Sequence, residues 1–276
     1  MSGRMVWLAS YPKSGNTWLR SVYTALEQGA VDINALMGDA LAATRAFLEV
    51  TLGVRTADLT HDEVDQLRPL ADDAAAPRMS GDRWRKVHDA LLAGPAGLVV
   101  SPGATRAALY IVRDPRDVVV SFAHHSSMSL EATVAYMADP GAAFYAGDDA
   151  RPLQVRQRLG TWSQHVLSWA DATAFPVHVL RYEDCAEQPV QAFGQAFAAA
   201  GLERTEADVA AAVEKASWGR LRAQEREVGF RERAGHEVTF FRRGRAGSWR
   251  QELPAYLARQ VERDHAAVME RFGYLS

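Results

Sequence analysis

The sequence predicts one α/β domain across residues 1–276, with a central, largely parallel sheet flanked by helices. Short apolar runs of strand length alternate with stretches whose apolar residues recur at helical spacing, as in parallel strands joined by crossover helices. No repeat or linker divides the chain, and 276 residues at 48% hydrophobic composition suffice for one large core.

Residues 5–9 form the first predicted strand, followed by a loop over 10–17. Trp18, Leu19, Val22, Tyr23 and Leu26 recur with helical period before Gly29, so a helix runs from 18 to 28. An Ala-rich helical pattern covers 33–52, a shorter one 61–67, and a loop lies around 72–81. Residues 84–88 read as a strand, 94–104 as a Gly- and Pro-rich connector, and 107–112 as a third strand ending at Arg113-Asp114-Pro115. A helix starts over 116–122, and weak helical signal with a Gly-rich patch occupies 126–151. An amphipathic helix carrying Trp162 and Trp169 is expected over 155–172, and a fourth strand over 177–180. Helices follow over 190–200 and 206–215, then a polar, glycine-punctuated stretch over 224–247 and a last helix over 254–272.

Composition narrows the function. The chain is too apolar for disorder, and a formal charge of −3 argues against a basic nucleic-acid binder. Cys185 is the single cysteine, which excludes an intrachain disulfide and a Cys-rich metal site. The opening residues lack a signal-peptide pattern and no apolar run reaches 18 residues, so a soluble cytoplasmic protein is expected. Of 31 basic residues only Lys13, Lys86 and Lys215 are lysines, which hints at places that need a compact, mobile ammonium.

The first loop, Tyr11-Pro12-Lys13-Ser14-Gly15-Asn16-Thr17-Trp18, joins a strand to a helix. Such a loop presents backbone N–H groups reinforced by the helix N-terminus, while Lys13 adds charge and Ser14 and Thr17 add hydroxyls. An ordinary turn with a solvated lysine is the plain alternative. The lysine precedes the glycine, unlike an ATP-type P-loop. The segment resembles the 5′-phosphosulfate loop of sulfotransferases that use 3′-phosphoadenosine 5′-phosphosulfate (PAPS). That resemblance implies a P-loop-kinase-like fold in which Lys13, Ser14, Gly15, Asn16 and Thr17 hold the 5′ end of the donor and Trp18 packs against its adenine.

PAPS carries a second anion, the 3′-phosphate. Arg113-Asp114-Pro115-Arg116-Asp117-Val118-Val119-Val120-Ser121 follows a strand, where α/β ligands bind. It resembles the family's 3′-phosphate motif, which implies Arg113 and Ser121 as ligands and leaves Asp114 and Asp117 as scaffolding. Phe240-Phe241-Arg242-Arg243-Gly244-Arg245-Ala246-Gly247-Ser248-Trp249-Arg250 interleaves arginines with glycines, as suits a phosphate clamp or a strip for single-stranded RNA. It is similar to the family's Arg-Lys-Gly-x-x-Gly-Asp-Trp element, with Arg243 in place of lysine and Ser248 in place of aspartate. Arg242, Arg243 and Gly244 carry over. Tyr182, in Arg181-Tyr182-Glu183-Asp184, and Ser217-Trp218 resemble the family's adenine contacts.

Transfer to a hydroxyl needs a base and charge neutralisation. In Trp84-Arg85-Lys86-Val87-His88-Asp89, Lys86 and His88 stand two apart, and on an extended strand they share a face. The segment resembles the family's Lys-Thr-His element. This implies His88 as general base, Lys86 as a sulfuryl-oxygen contact and Lys13 as stabiliser of the leaving oxygen. His124 and His125 are the next candidates; His61, His165, His178, His236 and His265 are expected to be structural or exposed. No metal-ligand spacing occurs, and the family transfers sulfate without a metal.

The resemblance thus implies transfer of a sulfuryl group from PAPS to a hydroxyl of a small-molecule or natural-product acceptor, releasing adenosine 3′,5′-bisphosphate (PAP). Length and opening motif are similar to those of short bacterial sulfotransferases that modify secondary metabolites such as glycopeptides. Residues 30–80, 123–152 and 224–240, which include Phe144, Tyr145 and Phe230, are expected to shape a sizeable, partly apolar acceptor site. A nucleotide kinase and a non-catalytic module for a phosphorylated ligand are the alternatives.

Overall fold

The computed structural model describes residues 3–38, 42–94, 97–147, 153–233 and 239–275. Its strands are β1 (Met5–Ser10), β2 (Arg83–Val87), β3 (Thr105–Val112), β4 (Ala143–Phe144), β5 (Gln157–Arg158) and β6 (Val177–Arg181). Four of them make a parallel sheet in the order β2-β1-β3-β6, while β4 and β5 form a separate antiparallel pair. The helices are α1 (Asn16–Gln28), α2 (Arg45–Leu52), α3 (His61–Ala75), α4 (Pro115–Ser126), α5 (Leu130–Met137), α6 (Trp162–Ala170), α7 (Tyr182–Glu187), α8 (Pro189–Ala199), α9 (Glu206–Lys215), α10 (Trp218–Val228), α11 (Trp249–Glu252) and α12 (Ala255–Arg271).

The two central strands are buried on both faces, so their apolar runs are continuous and alternate residues serve opposite layers. Trp7, Tyr110 and Val112 pack in one core with Trp162, Trp169, Val261 and Met269 from α6 and α12. Val6, Leu8, Leu109 and Ile111 pack in the other with Leu19 and Val22 of α1 and Phe193 and Phe197 of α8. The predicted α/β class, with a parallel sheet flanked by helices, is borne out. Among the described residues no helix is long and apolar enough to cross a membrane.

Four local expectations fail for physical reasons. Helix was expected over 33–52, but α2 begins only at Arg45. Asp32 accepts from the backbone N–H of Asn34, and Gly38 has φ 69 where a Cβ would lie 2.8 Å from Leu8, so this stretch turns tightly against the sheet. Of the helix expected over 155–172 only α6 forms. Gln157–Arg158 pairs with β4, Gly160 takes φ 62, and a Thr161–Gln164 capping box starts the helix. Conversely, α3 runs through Pro69 to Ala75, past the expected end at 67. Buried Asp72, from the expected 72–81 loop, pairs with Arg85 at 3.0 Å and fixes the last turn. Finally, α10 covers residues left unassigned and the start of the stretch read as polar loop. Gln224 and Glu225 on it bind backbone groups of two other segments.

Candidate active site

The loops or helices that follow β1, β2, β3 and β6 emerge at one edge of the sheet. They carry Lys13, His88, Arg113 and Tyr182, all four of which line one cavity of about 560 Å³. Ligands of α/β sheets bind at this edge, outside the carboxyl ends of the strands.

After β1, Lys13 takes φ 66 and Gly15 φ 113. A Cβ at Gly15 would lie 2.8 Å from the Tyr182 ring, so glycine is required both by the backbone and by that close approach. Gly15 is also the N-cap of α1, which has no side-chain cap and no acid in its first turn. The N–H groups of that turn therefore keep their capacity for an anion. Ser14 is fully buried and its Oγ has no hydrogen-bond partner, whereas Asn16 Nδ2 donates to Leu8 O at 2.8 Å and fastens the loop to the strand. The Lys13 ammonium rests 3.6 Å from the centroid of the Phe240 ring. Burial, and then the Lys86 charge, lower its pKa to about 7.

After β2, His88 Nδ1 lies 2.9 Å from Ser10 O. A carbonyl only accepts, so Nδ1 carries the proton and the lone pair belongs to Nε2. His165 Nε2 donates to His88 O at 3.0 Å, and Tyr110 Oη donates to His165 Nδ1 at 2.9 Å, which steadies the backbone from beneath. Burial, and then the Lys86 ammonium, hold the His88 pKa well below the usual histidine value. The ring is therefore neutral near pH 7. Lys86, on β2, and His88, one residue past its end, both line the cavity.

Lys86 Nζ donates to Glu232 Oε2 at 3.2 Å, and Arg20 Nη1 and Nη2, fully buried on α1, donate to Glu232 Oε1 at 2.8 and 2.7 Å. Despite burial, the Lys86 and Arg20 charges lower the Glu232 pKa to about 2. Backbone contacts hold the loop that carries it: Asn34 Oδ1 accepts from Arg231 N, and Asn34 Nδ2 donates to Gly229 O.

After β3, Arg113 donates to Lys13 O and Arg245 O at 3.3 and 3.1 Å and lies 4.3 Å from the Tyr182 ring centroid. Its buried Nε has no partner. Ser121, two turns along α4, also lines the cavity. Asp114 caps α4 by accepting from Arg116 N. Asp117 accepts from Gly247 N, Ser248 Oγ and Trp249 N at 2.6, 3.0 and 2.9 Å, tying the arginine-glycine strip to α4. Ser248 thus serves as a donor to a carboxylate, a role an aspartate at this position would not fill.

In that strip, Arg242 and Arg243 line the cavity and both pair with Glu252. At Gly244, φ is 63 and a Cβ would fall 2.0 Å from the Trp218 ring, so backbone and indole lie in direct contact. Glu225, almost fully buried, accepts from Phe240 N, Phe241 N and Arg233 Nε, which anchors the strip's aromatic start. Trp18, Tyr182 and Trp218 line the cavity together, and Trp18 stands edge-on to Tyr182 at 5.7 Å. Ser217 is the N-cap of α10 beside Trp218 and is not part of the cavity lining.

His125 lines the cavity, its pKa pushed down to about 4 by burial and then by Lys13, while exposed His124 donates to Thr239 O. His165 and His265 are core groups, His178 and His61 are partly buried, and His236 lies outside the described residues. Of the segments expected to shape the remainder, 123–152 contributes His125, Phe144 and Tyr145, and 224–240 contributes Arg231, Glu232, Arg233 and Phe240. Residues 30–80 contribute none of the described lining, and Ile33 and Asn34 act from behind by pinning α10 and the loop after it. Phe230 packs into a cluster with Phe240 and Phe241 instead of reaching the cavity. Glu232, Glu225, Glu252, Gln154 and Gln157 have no motif in the sequence; the one trace of Glu232 is Arg20, a fully buried charge on α1.

A family model described as the sulfotransferase domain matches residues 4–273. The chain belongs to the sulfotransferase domain family. Sulfotransferase 1A1 of Bos taurus is 29% identical over 189 residues, 66% of this chain and 54% of that protein. Sulfotransferase 1A1 of Canis lupus familiaris is 24% identical over 277 residues, 96% of this chain and 83% of that protein. The chain thus spans about half the length of the first relative and most of the second. Mouse sulfotransferase SULT7A1, solved in complex with PAP, superposes with TM-score 0.61 at 16% identity, covering 96% of this chain and 84% of that one. Retinol dehydratase, solved with androsterone and the inactive cofactor PAP, gives TM-score 0.61 at 17% identity, covering 96% and 80%. These likenesses establish the sulfotransferase fold.

Proposed function

We propose that the chain, as a single domain over residues 1–276, moves a sulfuryl group from PAPS to a hydroxyl of a small-molecule acceptor, with His88 as general base. The observation that carries this reading is one cavity lined by both cationic clusters, Lys13 with the α1 N-terminus and Arg113 with Arg242 and Arg243, together with Lys86 and His88. Two separated anionic ends call for two such clusters.

The residues fit the donor. Arg113 and Trp218 line the cavity and carry buried polar atoms, Nε and Nε1, without partners, and α1 begins with no side-chain cap; Ser14, whose buried Oγ also has no partner, is not itself part of the cavity lining. Lys13, Ser14, Gly15, Asn16 and Thr17 would hold the 5′ end; Arg113, Ser121, Arg242, Arg243 and Gly244 the 3′-phosphate; Trp18, Tyr182 and Trp218 the adenine. When bound, PAPS supplies an activated sulfuryl group on a phosphate leaving group. His88 Nε2 takes the acceptor proton, with the ring held by Nδ1–H on Ser10 O. Lys86 neutralises charge on the sulfuryl oxygens, and Lys13 neutralises charge developing on the leaving oxygen. Two relatives of the same fold were solved with PAP, which supports the donor assignment.

Calorimetry with PAP in EDTA, beside ATP with and without magnesium, tests the reading. Tight metal-free binding of PAP with weak ATP is expected. Preference for magnesium-ATP would favour a kinase, and PAP binding without transfer to any of a panel of phenols and alcohols would favour a non-catalytic module.

A further inference from the structure

The Lys86 and Glu232 side chains are 15% and 19% exposed, so their 3.2 Å ion pair stands in a largely buried setting, where a lone ammonium sheds its charge readily. The charged and titratable groups set against Lys86 are Arg20 on α1, Lys13 after β1, His88 after β2, His125 on α4 and Glu232 after α10. Burial holds both histidines below the usual value, so they add no charge near pH 7. That leaves two cations and, as the single carboxylate among these groups, Glu232. Lys13 shows the alternative: with the Phe240 ring rather than a carboxylate against its ammonium, its pKa is lowered to about 7.

The carboxylate is itself fixed from α1. Fully buried Arg20 gives both Nη groups to Glu232 Oε1, which leaves Oε2 to Lys86, and Thr17 Oγ1 in the first turn of the same helix lies 3.5 Å from Oε2. The helix whose N-terminus forms the candidate anion loop thus also sets the place of the Lys86 counterion. An ammonium has three N–H donors; with one on Glu232, two remain for the cavity that Lys86 lines.

We propose that Glu232 is the positioning residue for Lys86: it keeps that side chain an ammonium and aims it at the sulfuryl end of the donor, with Arg20 as the arm that holds it. Glu232 acts through Lys86 and not by touching the donor. PAP lacks the sulfuryl group, so the effect falls on PAPS binding and not on PAP binding. The inference rests on the sulfotransferase reading of the cavity and adds to it a residue that tunes the sulfuryl contact.

The chain has only three lysines, Lys13, Lys86 and Lys215, so the full protein labelled with ¹³C-lysine gives three Cε signals by NMR, assigned with Lys13→Arg and Lys86→Arg. Lys86 is expected to keep its proton at the pH where Lys13 is half-titrated, and in Glu232→Gln its midpoint falls by roughly 1–3 pH units. Calorimetry with PAPS and with PAP at pH 8 supplies the second readout. Glu232→Gln lowers the PAPS-to-PAP affinity ratio about tenfold, as loss of one charged hydrogen bond does. In a Lys86→Met background the same change leaves the ratio within about twofold, whereas a merely structural role would weaken both ligands alike. Three results overturn the inference: Lys86 titrating at or below Lys13 in the wild type, a ratio unchanged or raised in Glu232→Gln, or an equal loss in the Lys86→Met background. The wild-type titration decides even where a variant does not fold. Failure of both PAP and PAPS to bind is a different result, which removes the donor reading and this inference with it.

Discussion

Binding of PAP at pH 8 should draw a proton onto Lys13. In the free protein burial and the Lys86 charge lower the Lys13 pKa to about 7, so at pH 8 this side chain is roughly nine-tenths neutral. A phosphate with a second pKa near 6 is almost wholly dianionic at pH 8 and brings no proton of its own. An anion set beside Lys13 favours the ammonium and raises its pKa, so the lysine takes its proton from the buffer. The expected uptake approaches 0.9 proton per site, an order-of-magnitude figure that assumes complete protonation in the complex. His88 and His125 stay out of this balance, since burial holds both below the usual histidine value. Calorimetry at pH 8 in buffers of different ionisation enthalpy measures the uptake directly, as the slope of observed against buffer enthalpy. Lys13→Arg keeps the charge but is protonated throughout, so its slope should drop by the Lys13 share. Equal slopes for wild type and Lys13→Arg, or net proton release by the wild type, would refute the argument.

Two further predictions address the chemistry and its support. His88→Ala should leave PAP affinity within about twofold and lower kcat by roughly 10²–10⁴-fold, the usual range for a positioned base. Because burial and the Lys86 charge hold the His88 pKa well below the usual histidine value, the acid limb of kcat/KM in the wild type should lie well below pH 6.5, and a limb centred at 6.5 would contradict the assignment. Glu232→Gln removes the carboxylate charge that Arg20 and Lys86 share, worth about 1.5–3 kcal/mol for charged hydrogen bonds, so thermal scans should show Tm lower by roughly 3–5 °C. The folded pKa of Glu232, about 2, lies under an unfolded value near 4.3, so its stabilisation is complete above about pH 5 and drains as pH falls toward 2. An unchanged Tm at pH 7, or a wild-type–variant difference that persists at pH 2, would sink that account.

Some elements were legible because their causes are local. The four strands of the parallel sheet were found to within two residues, since β1 and β3 are short apolar runs buried on both faces, whereas β4 and β5 were not. The segment 33–52 was misread because its alanines and leucines keep helical spacing while Asp32 and Gly38 enforce turns that close only against β1. Likewise the register between Phe144 and Gln157 is a pairing between distant segments, and it converts the start of an apparent helix into a strand.

By itself the sequence determined the α/β class and the loops that line the cavity, because each is a contiguous segment at the end of a strand whose backbone and side chains act within a few residues of one another. Lys13, Gly15, Arg113 and the Lys86–His88 pair could be named from such stretches alone. Tertiary structure decided what surrounds them. Glu232 meets Arg20 across 212 positions, and Asp117 meets Gly247 across 130. A carboxylate or amide has no local signature of its partner. Only packing brings the two together: it buries Lys13 near Lys86, which lowers its pKa to about 7, and sets Glu232 between Lys86 and Arg20, which lower its pKa to about 2 despite burial.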